Sequence, residues 1–127
     1  MSTTEKSRDL RIRTRQFALR IIRLYAALPK RVEAQVIGKQ LLRSGTSIGA
    51  QYHEGTRSRS NQEFISKLQS SLQEAEETNY WLLILSESGF MAPGRLTGLL
   101  GETDELIAML TSSVKRVKTR IKPKDNQ

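Results

Sequence analysis

Residues 60–89 read SNQEFISKLQSSLQEAEETNYWLLILSESG, and their pattern decides the fold. Ser60 followed by Glu63 is a capping-box pattern, in which the hydroxyl accepts from a first-turn N–H and the carboxylate reaches back. Phe64, Leu68, Leu72, Ala75, Leu82 and Leu85 then return at intervals of three, four or seven, which is one face of an α-helix. Gly89 is the stop signal. The spacing predicts a helix over 60–88, the third of four.

The same period runs outward in both directions. The first helix is expected over 7–28, with Ser7 as its cap, Phe17, Ile21, Leu24 and Leu28 as its apolar face, and Pro29 as its end. The second is expected over 32–54, with Val36, Leu41, Leu42, Ile48 and Tyr52 as contacts and Gly55 as a left-handed cap. Gly45 and Gly49 inside it each cost about 1 kcal/mol relative to alanine. The expected return is close approach of a neighbouring backbone. The fourth is expected over 93–121, opening at Pro93, weakened by Gly94, Gly98 and Gly101, and closed by Pro123. Its stripe is Leu106, Leu110, Val114, Val117 and Ile121. The tails 1–6 and 122–127 are expected to fray. Four helices with short links predict one all-α domain over 1–127, an antiparallel up-down-up-down four-helix bundle.

Composition narrows the function. The 127 residues contain no cysteine and a single histidine, His53, so a cysteine- or histidine-built metal site within one chain is not expected. No nucleotide-binding loop, nucleophile elbow or paired acid–base set is present, and neither a catalytic site nor a cofactor is expected. The acidic run Glu102-Thr103-Asp104-Glu105 lacks the spacing of a calcium loop and reads as a solvated first turn. Tyr80 and Trp81 read as core or interface anchors. No apolar run reaches the roughly 18 residues of a membrane span, and no apolar signal segment follows Met1. The cytoplasm is the expected compartment, with no membrane partner.

Charge carries the strongest functional signal. Residues 1–31 hold nine Lys/Arg against two acids, a net +7, whereas residues 60–91 hold one against five, a net −4. Arg8, Arg11 and Arg15 share a helical face, and Arg13, Arg20 and Arg23 extend the positive surface. Arg116, Arg120 and Lys122 form a second basic zone. In an up-down bundle the first helix begins, and the fourth ends, at one pole, so the two zones meet. Such a surface fits nucleic-acid phosphates, RNA or DNA. RNA is the favoured reading; the alternative is the acidic third helix of a neighbour in a homo-oligomer, or an acidic protein partner.

A separate polar set lies on the second helix. Arg43, Ser47, Gln51 and Glu54 share one face, beside Ser44, and Ser71, Glu74, Glu77 and Thr78 are expected opposite. A buried Arg43–glutamate pair would fix the helix register. The alternative is a polar ligand groove.

Leu41-Leu42-Arg43-Ser44-Gly45-Thr46-Ser47-Ile48-Gly49-Ala50-Gln51-Tyr52-His53-Glu54-Gly55 resembles a signature of a bacterial family, the four helix bundle proteins, also described as large-subunit ribosomal RNA intervening-sequence proteins. The resemblance continues through Arg57-Ser58-Arg59-Ser60, Phe64, Lys67, Leu68, Glu74, Glu77, Thr78 and Tyr80-Trp81-Leu82, and covers roughly 14–121. The family motif falls on Arg43, Ser44, Ser47, Ile48, Glu54 and Glu74, while Gln51 replaces the usual asparagine and His53 the usual arginine or alanine. The resemblance implies a bundle assembled as a ring, commonly a pentamer, with no established catalytic activity. Many members are encoded within insertions in ribosomal RNA genes. The accessory protein of diversity-generating retroelements is similar in fold and basic charge, which implies nucleic acid and a reverse transcriptase as possible partners.

Overall fold

The computed structural model describes the backbone of residues 3–125 and the side chains of residues 8–121. Four helices follow one another: α1 Thr3–Ala26, α2 Val32–Thr56, α3 Asn61–Ser88 and α4 Thr97–Asp125, with a 3₁₀ turn at Pro93–Arg95 before the last. At about 1.5 Å per residue each spans roughly 35–45 Å. Each packs on the next, and α4 returns beside α1 at a looser seam.

The cross-helix pairs run antiparallel. As the α2 residue rises from Arg43 through Ile48 to Glu54, its α3 partner falls from Glu77 through Ser71 to Lys67. Between α1 and α2 the same order holds, with Gly38 on Leu28, Gly45 on Ile21 and Gly49 on Thr14. The core is a continuous column in which α1 contributes Phe17 and Ile21, α2 Leu41 and Ile48, α3 Leu68 and Leu82, and α4 Leu106 and Leu110. These side chains are essentially buried, and removing them from water is the main drive to fold.

Several ends differ from the expected ones. α1 begins at Thr3, so Ser7 lies inside the helix rather than capping it. The chain leaves α1 at Ala26, where the N–H groups of Ala27 and Leu28 donate three residues back, to Leu24 O and Tyr25 O at 3.0 and 3.1 Å. Pro29 forces that exit, because it pushes Leu28 out of the α region. Leu28 nevertheless stays buried. Gly55 is not a left-handed cap: α2 continues to Thr56, and Gly55 lies buried against Phe64 and Lys67. Gly89 does cap α3, with φ 79°. Ser60 Oγ accepts from the Glu63 N–H at 3.1 Å, and the Glu63 carboxylate reaches back to the Arg59 N–H at 3.4 Å. Pro93 opens a 3₁₀ turn, not α4 itself. α4 then runs through Pro123, since a proline in the last turn forfeits one N–H bond on which no later turn depends. Val36 is 57% exposed, because five residues before Leu41 it points about 140° away from the core face.

Among the described residues no helix is long and apolar enough to cross a membrane, and no group of three or more His, Asp or Glu is placed to hold a metal.

Candidate nucleic-acid interface

The antiparallel order places the start of α1 beside the end of α4. Asp9 and Leu10 line one groove of about 410 Å³ with Ser113 and Arg116. Arg8, Arg11 and Arg15 point outward there, and Arg120 is exposed one turn beyond Arg116. None of these four makes an ion pair with a described residue. The side chain of Lys122 lies outside the described residues.

The remaining basic residues part company. Arg13 faces the α1–α4 seam instead of solvent. Its Nη2 lies 2.7 Å from Glu102 Oε1 and 3.3 Å from Glu105 Oε1, and its Nη1 donates to Met109 Sδ at 3.2 Å. Asp9 stands one turn back, at 3.7 Å. The Glu102 contact raises the Arg13 pKa further, so its charge is permanent. The run at 102–105 is therefore not a free solvated turn: Glu102 and Glu105 are paired and Thr103 is buried, its hydroxyl donating to Leu99 O at 2.7 Å. Arg116 is half-buried and donates from Nη2 to Ser113 Oγ at 3.0 Å, while its Nε is buried without a partner among the described residues. Arg20 and Arg23 lie towards the other pole, beside Arg95.

The α2 polar set forms, and bridges α2 to α3. Arg43 pairs with Glu74 at 3.2 Å and with Glu77, but the pair is half exposed rather than buried. Trp81 Nε1 donates to Glu77 Oε2 at 3.1 Å. That indole N–H first, and the Arg43 guanidinium second, hold the Glu77 carboxyl below its ordinary range. Deeper in, the Thr78 hydroxyl donates to Glu74 O at 2.7 Å and stands 3.0 Å from Ser44 Oγ. Ser71 Oγ donates to Ile48 O at 2.7 Å. Ser47 bonds back to Arg43 O at 2.7 Å, Glu54 pairs with Lys67 at 2.6 Å, and Gln51 is half-buried. The ion pairs of Arg43 and Glu54 and the Ser71 and Thr78 hydroxyls cross from one helix to the other, which makes the set an inter-helix fastening. His53 is half-buried, and Tyr80 is exposed with its ring edge-on to Trp81 at 5.0 Å.

Two features escaped the sequence reading. Gly38 joins Gly45 and Gly49 on the α1-facing side of α2. Arg95 joins Arg20 and Arg23, although it sits in a Gly/Pro link with no periodicity to flag it.

The chain matches no curated protein. It is similar to a solved protein with unknown function from the S23 ribosomal protein family of Bacteroides thetaiotaomicron VPI-5482, at 35% identity and a TM-score of 0.82, covering 87% of this chain and 98% of that one. The family model described as 23S rRNA-intervening sequence protein matches residues 8–112. With that match over most of its length, the chain belongs to the 23S rRNA-intervening sequence protein family.

Proposed function

We propose that this protein is a non-enzymatic, cytoplasmic nucleic-acid-binding bundle that acts as a homo-oligomer, with RNA the favoured ligand. The observation that carries this reading is the outward face of α1, where Arg8, Arg11 and Arg15 stand free of any described carboxylate, with Arg120 exposed at the same pole. Phosphate contact from such a face reads charge and shape more than sequence. The family's description, which names 23S rRNA, makes RNA the first ligand to test. Copies in an oligomer would sum weak contacts by avidity.

The test is binding of nuclease-treated protein to short labelled single-stranded and duplex RNA and DNA across a salt series. Affinity should fall steeply with salt, by about 0.7–0.9 log units per log unit of salt for each phosphate engaged. Arg11→Glu with Arg15→Glu should weaken binding and leave the helical signal intact. Unchanged affinity in that variant would remove α1 as the contact surface.

A second reading, an interaction scaffold, is favoured by apolar side chains on the same helix. Ile12, Leu19 and Ile22 are 38–47% exposed among the arginines, and Tyr80 and Leu83 are exposed on α3. A defined protein of fixed stoichiometry co-purifying in place of RNA would support it.

A further inference from the structure

At the pole opposite the start of α1, Arg20 and Arg23 of α1 and Arg95 of the 3₁₀ turn line one shallow cleft of about 220 Å³. Its floor is Leu24 and Leu99, 6% and 4% exposed. None of the three arginines is ion-paired to a described residue. Along α4, Glu102 and Glu105 are taken by Arg13, and Asp104 does not line the cleft. At the same pole Glu33 pairs with Arg31, and neither it nor Glu87 lines the cleft. Three like charges thus share an apolar floor, and no carboxylate among the described residues lines the cleft. Gly98 contributes by what it lacks: a Cβ there would lie 3.0 Å from Arg20 Nη2.

We propose that this cleft is a phosphate-binding site that takes a phosphate monoester. Its volume is below the roughly 300 Å³ at which small-molecule pockets begin, so it suits one phosphate group rather than a whole nucleotide. A monoester carries close to two negative charges at neutral pH, against one for an internal phosphodiester, and three arginines match the higher charge. Arginine forks also suit phosphate oxygens geometrically. The site deepens the nucleic-acid reading and rests on it only for one source of the phosphate, the end of an RNA chain. The other source is a free nucleoside monophosphate or inorganic phosphate.

The experiment compares short RNAs of one sequence bearing a 5′-phosphate or a 5′-hydroxyl, and titrates inorganic phosphate separately. It uses the wild type, Arg20→Ala with Arg95→Ala, Gly98→Ala, and Arg57→Ala as an exposed arginine control away from the cleft. Thermal melts check that each variant folds. Wild type should prefer the 5′-phosphate RNA by about ten-fold, the scale of one or two charge-assisted hydrogen bonds. The preference should vanish in the double variant, shrink in Gly98→Ala and persist in Arg57→Ala. It should also weaken as pH falls through about 6, where the monoester gains a proton. Phosphate binding that depends on Arg20 and Arg95, without any preference between the RNAs, supports the site and assigns it to the free ligand, even if the protein binds no RNA. RNA binding with no preference for the 5′-phosphate, and no phosphate binding that the double variant abolishes, overturns the site while leaving the α1 reading in place.

Discussion

Arg13 and Glu102 meet fork to fork across the loosest seam of the bundle, Nη2 to Oε1 at 2.7 Å and Nε to Oε2 at 3.1 Å. Both side chains are mostly buried, at 24% and 18% exposure. A charge in that position braces α1 against α4 and is not free to meet a ligand.

Arg13→Ala should therefore act on stability and spare nucleic-acid affinity. A part-buried bidentate pair lies between the exposed and the buried cases, so the loss should be about 1–2 kcal/mol. For a chain of this length that is a fall of roughly 3–8 °C in Tm. Thermal melts and binding titrations on the same variant separate the two roles. A normal Tm with weakened binding would put Arg13 in the interface.

Gly45 and Gly38 should respond differently to alanine. A Cβ at Gly45 would lie 2.9–3.3 Å from the branched, buried side chain of Ile21, which has little room to turn. A Cβ at Gly38 would meet the Leu28 Cδ1 tip at 2.5 Å and the edge of the Tyr25 ring at 3.0–3.1 Å, and both side chains sit where the chain leaves α1 and can shift. Overpacking costs typically about 1–3 kcal/mol, whereas alanine returns about 1 kcal/mol of helix propensity. Gly45→Ala should come out destabilised by about 1 kcal/mol and Gly38→Ala near neutral. Chemical denaturation of the two variants side by side tests the order.

Glu77 should make stability sensitive to acid. Its carboxyl is held below the ordinary value by the Trp81 indole N–H and then by Arg43. A depressed folded pKa contributes stability above the unfolded value of about 4.3, and that contribution is lost as pH falls through the folded pKa. Solvent screening at this half-exposed pair keeps the effect small. Melts between about pH 5 and 2 should show a shallower acid loss in Glu77→Gln than in the wild type. Trp81 fluorescence should shift over the same window. Parallel curves would mean that the pair contributes nothing in solution.

Ser71→Ala should cost about 1 kcal/mol, the net worth of one buried neutral hydrogen bond. Its partner, Ile48 O, belongs to the backbone of α2, so the loss should appear as local loosening. Hydrogen exchange in the middle of α2 and α3 should speed up there first. Exchange that stays uniform across the bundle would argue against Ser71 as an α2–α3 fastening.

Periodicity alone located the four helices, the Ser60 cap and the Gly89 stop, because these depend on contacts within a few residues. It also placed Ser71, Glu74, Glu77 and Thr78 opposite the polar face of α2, where Glu74, Glu77 and Thr78 meet Arg43 and Ser44 and Ser71 meets Ile48 O, since antiparallel neighbours joined by a short link have little freedom of register. Helix ends were less legible. Gly55 could serve as a cap or as a packing site, and the choice fell to Phe64 and Lys67, which arrive from another helix. Val36 has apolar chemistry but the wrong angle.

By itself the sequence determined an all-helical bundle with an excess of arginine on its first helix, because 3.6-residue periodicity and net charge are properties of the chain. Which arginines are free was settled by how the helices pack. Arg13 and Glu102 are 89 residues apart in the chain, and their pairing follows from α4 folding back along α1. Arg95 joins Arg20 and Arg23 for the same reason. Whether a charge is neutralised depends on what lies within about 4 Å of it, because the Coulomb attraction falls off with distance and is screened by water. That distance is set by packing across the bundle rather than by spacing along the chain.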